Sequence, residues 1–524
     1  MKSRIFALFI VLMLSASVAE AQSGTGNNGQ GPAESAKQAP AQPPVKTTGA
    51  KQEACGCEAA NTPTDAAAVV NSVKISIKDL DGPIKDQITA LRKQVIDARR
   101  RELNLQINSR LLEAEAKRQG TTSSKLVEKE IVAKAKEPTE TDVQAFYDQN
   151  KDRIPGEFKD FKTQILDYLR SQRQEVAAKE LADKLRAAAE VKVLDEKVTA
   201  PEKQEDRARV FALLNGAKIT SGDIEDALEP LIYDVQRKLY ELRKDELELR
   251  INDVLLEQEA QKRKITATAV VEADLTPNVR KVSEDDARKF YAENKERIDG
   301  DFDGVKDRLM DYLQKKEQRR AELALIEKMK QGSKVEINLK EPVSPAFQIA
   351  TDDQPAKGSV DAPVTIVEFT DFACSTCQQS QPMLEKVAQE YSDKVRLVVR
   401  DYPLAQNKHA FKAAEAAEAA REQGKYWEYT AVLFANQKEL GPEKLKEYAS
   451  KVGLDRKRFD AELDSSKHAD KVQRDMQDGM RVGVNGAPAV FVNGRRVSDR
   501  TYESLKAAIE DALKAMAKKQ GNGV

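Results

Sequence analysis

The stretch that decides the fold of the last third of the chain reads Pro-Val-Thr-Ile-Val-Glu-Phe-Thr-Asp-Phe over residues 363–372, and Cys-Ser-Thr-Cys follows over residues 374–377. The first segment has the composition of a buried strand, and the run 378–391 is compatible with a helix. A helix N-terminus offers unpaired N–H groups and a positive dipole end, which favour a thiolate. Thiolate is the attacking species in disulfide exchange. The strand–helix junction therefore predicts a redox pair.

Two other interpretations of this pair were weighed. A zinc site needs a second cysteine pair or two histidines at ligand spacing. The only histidines, His409 and His468, have no such spacing to Cys374 and Cys377, and are interpreted as ordinary helix-surface residues. A purely structural disulfide is the second alternative. The redox interpretation requires no metal and no cofactor, because the electrons reside in the cysteine pair.

From residue 364 to the C-terminus the sequence resembles the DsbA-type branch of the thioredoxin superfamily. The resemblance implies a thioredoxin-like α/β domain over 359–524, with a helical insertion. Four blocks carry it, in the family's order and spacing: Val367-Glu368-Phe369 as the first core strand, 395–403 as the next strand and its exit, 409–434 as the helical insertion, and 483–494 as the loop, cis-proline and strand that face the redox pair.

The resemblance also implies roles for single residues. Cys374 would be the exposed nucleophile and Cys377 the buried resolving thiol. Pro488 would be cis and oppose the cysteines, and Ala487 before it would offer its backbone to an extended substrate. Glu368 would be a buried acid that assists proton movement at the resolving cysteine. A simple turn at Pro488 and a partly exposed ion-pair role for Glu368 are the alternatives.

Two departures from the family leave the direction of the reaction open. Ser375-Thr376 separates the cysteines where strongly oxidising members carry Pro and His, and Ala487 stands where Thr or Val is commoner. The missing histidine removes one group that stabilises the thiolate. Oxidation, isomerisation and reduction of client disulfides all remain consistent with the sequence.

A second cysteine pair, Cys55-Gly56-Cys57, lies near the N-terminus. A pair this close cross-links almost nothing, which favours reactivity over a structural role. A Cys-x-Cys disulfide is small and strained, and strain makes a disulfide oxidising and labile. We therefore consider it a possible secondary redox pair, able to exchange electrons with Cys374 and Cys377 or to mark a partner contact. An incidental pair, or bonds to other chains, are the alternatives.

Ahead of the redox domain the sequence repeats itself at a constant offset of 144 residues. The two repeats cover 67–197 and 211–339. Matched residues include Asn71 and Asn215, Asn108 and Asn252, Phe146 and Phe290, Tyr168 and Tyr312, and Val191 and Val335. Each repeat is mostly helical by its apolar spacing, with Leu103, Ile107 and Leu111 in the first and Leu247, Ile251 and Leu255 in the second. The alternating runs 73–77 and 191–193 are expected to pair as a small edge sheet.

The repeats resemble the helical chaperone region of periplasmic SurA- and PrsA-type foldases, on the string 246–260 and the later stretch 290–298. In that family a parvulin domain is inserted between the helical parts. The corresponding spaces here, 154–161 and 298–305, are far too short for a folded domain. The resemblance therefore implies binding of unfolded chains without prolyl-isomerase activity.

The N-terminus predicts export. Lys2 and Arg4 precede an apolar run over 5–14, and Ala19-Glu20-Ala21 offers a cleavage site, so 1–21 is interpreted as a signal peptide. An uncleaved N-terminal membrane anchor is the alternative. Residues 22–66, rich in Pro, Gln and Ala, are expected to form a disordered tether that carries Cys55 and Cys57, and 340–358 a linker.

Taken together, the sequence predicts an α+β multidomain chain in which two mostly helical repeats precede the thioredoxin-like domain. Lys+Arg number 86 and Asp+Glu 87, so the net charge of −1 gives no reason to expect nucleic acid as a partner. The expected function is a periplasmic or otherwise exported oxidoreductase that forms or rearranges disulfides in unfolded clients held by the repeats, recycled by a membrane or soluble redox partner. A reductase for one exported target, and a chaperone or scaffold whose thioredoxin-like domain mainly binds, are the alternatives.

Overall fold

The computed structural model describes residues 55–154 and 156–521. Its contacts divide these residues into two compact units: unit one, made of 55–58 and 89–229, and unit two, made of 59–88 and 230–521. Both contain long helices, and unit two ends in a five-stranded sheet with its own helices. The expected fold class, an α+β multidomain chain that ends in an α/β domain, is confirmed.

Short strands alternate with long helices up to residue 263. The elements are β1 (Ala68–Val70), β2 (Val73–Ile75), α1 (Ile77–Asp81), α2 (Lys85–Arg118), α3 (Ser123–Val127), a π-helical turn (Glu128–Val132), α4 (Glu140–Gln149), α5 (Phe158–Ala187), β3 (Val191–Val193), a 3₁₀ turn (Gln204–Ala208), β4 (Val210–Leu214), β5 (Ala217–Thr220) and α6 (Ser221–Arg263). The boundary between the two units falls inside α6, at Pro230.

The next elements repeat part of this series. They are α7 (Ala267–Asp274), a 3₁₀ turn (Thr276–Asn278), α8 (Glu284–Glu293), a second 3₁₀ turn (Lys295–Arg297), α9 (Phe302–Gln331) and β6 (Val335–Ile337). Helix α8 begins 144 residues after α4, and α9 begins 144 residues after α5. Thr139 before α4 and Ser283 before α8 each close a capping box with an aspartate, which fixes both helix starts.

Each repeat begins with a two-residue hairpin. Asn71 turns the chain between β1 and β2 with φ of 55°, and Asn215 does the same between β4 and β5 with φ of 48°. Tight hairpin turns require left-handed backbone, which asparagine tolerates better than other side chains. This requirement explains why an asparagine recurs at the 144-residue offset.

The strand that closes each repeat pairs with the hairpin of the other repeat. In unit two β6 pairs antiparallel with β1, giving the order β2-β1-β6, and in unit one β3 pairs antiparallel with β4, giving the order β3-β4-β5. The predicted pairing of 73–77 with 191–193 is therefore wrong. The physical reason is that β2 pairs with β1, its neighbour in the hairpin. The alternation of residue types within 73–77 did not reveal β1.

The helical stripes identified in the sequence form cores. Leu103, Ile107 and Leu111 are buried in unit one, and Leu247, Ile251 and Leu255 are buried in unit two against the β1–β2 hairpin. A second cluster in unit one packs α5 onto α2 and the short helical segments between them: Leu112, Ala116, Leu126, Val127, Ile131, Ala178 and Leu181.

The last region holds the five-stranded sheet. Its elements are β7 (Ala356–Lys357), β8 (Val364–Thr370), α10 (Ser375–Glu390), β9 (Val395–Asp401), α11 (Ala410–Arg421), α12 (Tyr426–Ala435), α13 (Pro442–Lys451), α14 (Arg456–Asp464), α15 (Ala469–Arg481), β10 (Ala489–Val492), β11 (Arg495–Val497) and α16 (Tyr502–Gly521). The strand order is β11-β10-β8-β9-β7, with β8 and β9 parallel and the other neighbours antiparallel. Helices α11 to α15 stand between β9 and β10, where the helical insertion was expected.

Side chains of the central strands alternate between two cores, as the pleat of a sheet requires. Val364 and Ile366 of β8 pack with α10 and α16, whereas Val367 and Phe369 pack with Phe491 on the opposite face. The sheet is covered on both faces, so the ends of β8 and β9 lie in the interior.

No helix within 55–154 or 156–521 combines the length and the apolar composition needed to cross a bilayer. The predicted signal peptide over 1–21 and most of the predicted tether, 22–54, lie outside the described residues.

Candidate active site

The end of β8 leads into a loop that is fixed by one buried carboxylate. Asp371 is almost fully buried, and its side chain accepts hydrogen bonds from the backbone N–H of Ala373 at 2.7 Å and of Leu404 at 2.9 Å, and from the Asn407 side chain at 2.7 Å. Three donors satisfy the carboxylate and hold the segment before Cys374 in a single conformation.

Cys374 stands at the N-cap of α10 and is partly exposed. Gln437 donates from its amide to the carbonyl oxygens of Cys374 at 2.8 Å and Phe372 at 2.9 Å. The Cys374 Sγ lies 3.6 Å from the carbonyl oxygen of Ala487. The thiol is therefore open to a partner on one side and placed against the 487–488 loop on the other.

Cys377 lies one helical turn further along α10, and both cysteines are free thiols in this structure. Cys377 is completely buried. Burial is the main cause that raises the pKa of its thiol well above the ordinary value, with a smaller contribution from Cys374 and Glu368. Cys377 is therefore protonated at neutral pH, and it needs an acceptor for its proton before it can attack.

Glu368, on β8, is a fully buried acid. Its carboxylate accepts hydrogen bonds from Gln381 at 3.0 and 3.1 Å and from the Ser380 hydroxyl at 3.3 Å. Burial raises the pKa of Glu368 to about 7, and these hydrogen bonds offset part of the rise. The alternative of a partly exposed ion-pair role is contradicted by this complete burial. The Ser380 hydroxyl also lies 2.7 Å from the carbonyl oxygen of Cys377, which places it between the acid and the resolving cysteine.

The peptide bond between Ala487 and Pro488 is cis. It precedes β10, which pairs with β8, the strand that leads to Cys374. The structure thus brings together five of the residues singled out in the sequence: Cys374, Cys377, Glu368, Ala487 and Pro488.

A polar cavity of about 420 Å³ adjoins the cysteine loop. Ala373, which precedes Cys374, and Gln437, which bonds to it, form part of its wall. The complete lining is Ala373, Gln406, Asn407, Lys408, His409, Gln437, Lys438, Leu440 and Gly441. No carboxylate is among these lining residues, so the cavity is positively charged.

The remaining predicted pair, Cys55 and Cys57, belongs to unit one and forms a disulfide with a Cα–Cα distance of 5.2 Å. Both cysteines are buried, and Arg99 donates to the carbonyl oxygen of Cys55 at 2.5 Å. The prediction that these cysteines lie on a disordered tether is therefore wrong for residues 55–57. The reason is local packing: a Cβ on Gly56 would come within 2.7 Å of Ala200.

The histidines differ from the sequence interpretation in one respect. His468 is buried rather than on the surface, and its Nε2 lies 3.1 Å from Glu462. With Glu422 these residues form a group whose ligand atoms all lie within 4.8 Å of one another. Lys467 already binds both carboxylates, at 2.7 and 2.9 Å, so a cation of the protein occupies the place a metal ion would take.

Three polar residues of the site were missed in the sequence. Asp371 and Gln437 hold the cysteine loop through contacts that span tens of residues, and Asp401 is the register partner of Thr370 on the neighbouring strand. Asp371 alone carried a local signal, since aspartate after a strand commonly accepts hydrogen bonds from the next backbone N–H groups.

Comparison with known proteins agrees with this geometry for the last third of the chain. Residues 350–511 match the family model described as thioredoxin. Among solved structures the chain is similar to oxidised BdbD from Bacillus subtilis, with 23% identity and a TM-score of 0.31 over 33% of this chain and 98% of that one. It is also similar to a thioredoxin-like oxidoreductase from Silicibacter pomeroyi, with 27% identity and a TM-score of 0.29 over 31% of this chain and 94% of that one.

Among curated proteins, the Na(+)/H(+) antiporter NhaA 3 of Salinispora tropica is 39% identical over 179 residues, which are 34% of this chain and 26% of the antiporter. The NhaA antiporter of Herminiimonas arsenicoxydans is 37% identical over 141 residues, 27% of this chain and 22% of its own length. The chain thus spans about a quarter of the length of the curated relatives it matches.

The resemblance of the helical repeats to SurA- and PrsA-type chaperones stays a prediction. For the last third, the sheet order, the helix that starts at Cys374, the cis-proline opposite it and the family match agree. The C-terminal region of the chain is a thioredoxin-like domain.

Proposed function

We propose that this protein is an exported thiol–disulfide oxidoreductase that forms or rearranges disulfides in unfolded client proteins held by its helical repeats. The observation that carries the proposal is the asymmetry of the cysteine pair: Cys374 is open to a partner, whereas Cys377 is buried beside an acid with a pKa of about 7. This is the arrangement that sequential disulfide exchange needs, with one thiol to attack and one to resolve.

The chemistry follows from the free thiols. Cys374, as thiolate, attacks a client disulfide, which gives a mixed disulfide and one client thiolate. Cys377 then passes its proton to Glu368 and attacks the Cys374 sulfur, which releases the second client thiolate and leaves Cys374 and Cys377 joined. The client gains two electrons and the pair loses two. Oxidation of a client dithiol is the same sequence in reverse, with Glu368 returning the proton to Cys377.

Isomerisation uses only the first step, because the client resolves the mixed disulfide with its own thiol. The cavity lined by Ala373 and Gln437 gives the client chain room beside Cys374. No added cofactor takes part in these steps, and a separate redox partner must restore the starting state of the pair.

The aromatic side chains that the repeats expose support the proposed binding of clients. Tyr168 is 49% exposed and lies against Phe146, with ring centroids 5.2 Å apart; Tyr312 is 51% exposed and lies against Phe290 at 5.6 Å. The same exposed aromatic pair therefore occurs once in each helical repeat. Exposed aromatic surface suits transient binding of apolar segments of an unfolded chain.

The test of the enzyme is refolding of reduced ribonuclease, and of ribonuclease with scrambled disulfides, by the full chain. We expect Cys374→Ser to lower the rate of both reactions by about three orders of magnitude, since it removes the nucleophile. The Cys55→Ser, Cys57→Ser double variant is the matched control, and we expect it to keep the activity. Unchanged refolding by Cys374→Ser contradicts the proposal and favours the scaffold alternative.

The reductase alternative is separated by the reduction potential of the Cys374–Cys377 pair, equilibrated against glutathione. A value near or above about −180 mV supports disulfide formation or isomerisation. A value near about −270 mV, as in thioredoxin, makes the protein a reductase and the repeats its targeting device.

Client holding has its own test. Suppression of aggregation of a reduced, unfolded client should fall when Tyr168→Ser and Tyr312→Ser are combined. Leu194→Ser is the control, because Leu194 is 48% exposed but is not part of an aromatic pair. Equal suppression by both variants contradicts client binding at the aromatic pairs.

A further inference from the structure

A second buried acid lies beside the one that serves the cysteines. Asp401 ends β9, and its register partner on the parallel strand β8 is Thr370. Asp401 is 2% exposed and Thr370 is 1% exposed. Among the described residues, the two carboxylate oxygens of Asp401 and the hydroxyl of Thr370 have no hydrogen-bond partner. Buried polar groups almost always have partners, so three unpartnered oxygens at one place call for an explanation.

The charges around Asp401 do not balance. Arg400 and Lys471 are the buried cations, and Asp401, Glu418 and Asp475 are the buried acids. The partly exposed Arg421 binds Glu418 and the partly exposed Asp478 binds Arg400, which adds one charge of each sign. One carboxyl group of this cluster therefore lacks a positive partner. An ionised carboxylate without a partner is very unfavourable in a protein interior, and such a group takes up a proton instead.

The hydrogen bonds identify which acid lacks a partner. Asp475 accepts from Arg400 at 2.8 and 2.9 Å, from Lys471 at 2.8 Å, from the Gln354 side chain at 2.9 Å and from the backbone N–H of Asp401 at 3.1 Å. Asp475 is thus fully satisfied as a carboxylate.

Glu418 is satisfied as well. It accepts from Arg421 at 2.6 Å, and Lys471 lies 3.6 Å away. Asp401 is the acid that remains. Burial, followed by the charges of Glu418 and Asp475, raises the pKa of Asp401 well above its ordinary value, and Lys471 and Arg400 offset only part of this rise.

Asp401 faces the same side of the sheet as Glu368. Glu368 and Thr370 are alternate residues of β8, so their side chains share a face, roughly 7 Å apart. Thr370 and Asp401 are side-by-side partners at roughly 5 Å. The Thr370 hydroxyl is close enough to Glu368 to lower its pKa slightly, although it makes no hydrogen bond of normal length. Tyr426 of α12 lies where the charges of both acids act on it.

We propose that Asp401 is a proton-holding residue of the redox site, which keeps a proton at neutral pH and exchanges it with Glu368 through the hydroxyl of Thr370. The inference rests on the oxidoreductase function proposed above. Its structural basis is the row Glu368, Thr370 and Asp401 on one face of the sheet, with Thr370 and Asp401 both buried and unpartnered.

The proton balance is as follows for oxidation of a client. Cys377 leaves the disulfide as a thiolate and takes the proton of Glu368. Asp401 gives its proton to the Thr370 oxygen, and the hydroxyl proton of Thr370 moves to Glu368. Asp401 is then an anion stabilised by Arg400 and Lys471, until a proton from the solvent restores it. A slight rotation of the hydroxyl, or one bridging water molecule, closes the distance between the two side chains.

The charged and titratable groups that face Asp401 come from four elements. Arg400 belongs to β9 itself, Glu418 to α11, Lys471 and Asp475 to α15, and Tyr426 to α12. Of these, Asp475 and Glu418 hold their own cations, so the two negative charges oppose ionisation of Asp401. The two cations limit the cost when Asp401 does ionise during turnover.

The first test detects the proton directly in the full chain. At neutral pH, where exposed acids are ionised, we expect the Glu368→Gln variant to show an infrared carbonyl band of a protonated carboxyl group. The Glu368→Gln, Asp401→Asn double variant should lack this band. Absence of the band in Glu368→Gln, or its persistence in the double variant, overturns the inference.

The second test follows the step in which the thiolate of a client peptide opens the Cys374–Cys377 disulfide and Cys377 leaves as a thiolate. We expect Asp401→Asn and Thr370→Val each to slow this step roughly tenfold or more and to alter its pH profile, whereas attack by Cys374 is unchanged. Asp478→Asn is the matched control. It removes an equal charge that also binds Arg400, at 2.8 Å, and it should leave the pH profile as it is.

If Asp401 has only a structural role, its variants will change in stability while the exchange step keeps the pH profile of the wild-type protein. That result overturns the proposal. If Glu368→Gln shows the infrared band but the wild-type protein exchanges no disulfides, the oxidoreductase function fails and the proton exchange fails with it. If the wild-type protein exchanges disulfides and Glu368→Gln lacks the band, only the present inference fails.

Discussion

The two cysteine pairs of this chain stand in opposite surroundings. Cys55 and Cys57 are joined and buried, and the charge beside them is Arg99, whose guanidinium is only 1% exposed and binds Glu225 at 2.6 Å. Cys374 and Cys377 are free, and the ionisable side chain beside them is Glu368, a buried acid whose side-chain donors in the described part of the chain are the neutral Ser380 and Gln381.

The difference teaches that the neighbouring ionisable side chain, more than the sequence spacing of the cysteines, distinguishes the reactive pair from the other pair. Arg99 is held in an ion pair with Glu225, so the buried charge beside Cys55 and Cys57 is already partnered. Glu368 has a pKa of about 7 and can gain or lose a proton near neutrality. A thiol that must shed its proton during exchange needs such a neighbour.

Of the variants that test this comparison, Arg99→Ala is expected to change the free energy of unfolding most. The change leaves the Glu225 carboxylate buried without its cation and the carbonyl of Cys55 without its donor. Removing one partner of a buried ion pair costs about 3–5 kcal/mol. We expect the free energy of unfolding, measured by urea denaturation, to fall by that amount.

Arg118→Ala is the control, because Arg118 lies on the same helix and its ion pair with Glu115 is 73% exposed on the arginine side. This variant should unfold at nearly the wild-type urea concentration. An Arg99→Ala protein as stable as the control would break the comparison, since it would show that Arg99 does not hold the first pair.

The second prediction concerns Glu368, the acid beside the reactive pair, and the pH dependence of stability. The pKa of Glu368 is about 7 in the folded state, above its ordinary value of 4.5, so between these pH values the folded protein binds more protons than the unfolded one. Stability therefore falls as pH rises from about 4.5 to about 7, by about 3 kcal/mol in total. We expect Glu368→Gln to lose this dependence.

The measurement is the free energy of unfolding as a function of pH for both proteins. The two curves should lie closest near pH 4.5 and separate above it, with the variant more stable at high pH. Parallel curves across this range would mean that Glu368 ionises normally, and the contrast with Arg99 would disappear.

The smallest change in the free energy of unfolding is expected from removing the disulfide between Cys55 and Cys57. Its disulfide closes a loop of three residues, so the chain-entropy contribution to stability is only about 1–2 kcal/mol. Cys55→Ser with Cys57→Ser should lower the free energy of unfolding by that amount.

In the wild type, a thiol reagent should label Cys374 quickly, Cys377 slowly, and neither Cys55 nor Cys57 before reduction. Rapid labelling of Cys55 without a reductant would contradict the difference in accessibility.

The sequence predicted the parts of the fold that depend on local pattern. The strand before Cys374 and the helix after it follow from residue type and order, and the 144-residue offset recurs in the helix starts. The cis-proline at Pro488 was implied by the family resemblance alone. Burial of Glu368 was expected by resemblance, and the structure shows it as complete.

What the sequence did not reveal depends on distant contacts. Gln437 bonds to the cysteine loop only because the segment after α12 is brought beside it, and Asp401 lies beside Thr370 only because β9 pairs with β8. Neither residue has a local signature. The tether prediction failed at Cys55 because composition is blind to a buried arginine forty-four residues away. The edge-sheet prediction failed because the strands that do pair there, β1 and β4, read Ala-Val-Val and Val-Phe-Ala-Leu-Leu, apolar runs without alternation.

The exchange of closing strands between the repeats has a consequence for how the chain folds. Val70 pairs with Val335, so the β2-β1-β6 sheet forms only after more than half of the polypeptide exists. Such long-range pairing closes a large loop and slows folding. A fragment cut between the repeats would contain both β1 and β3 but neither β6 nor β4, and would present two unpaired strand edges, which promote aggregation. We therefore expect the duplicated halves of this helical region to fold together, and neither half to fold when it is excised along the chain.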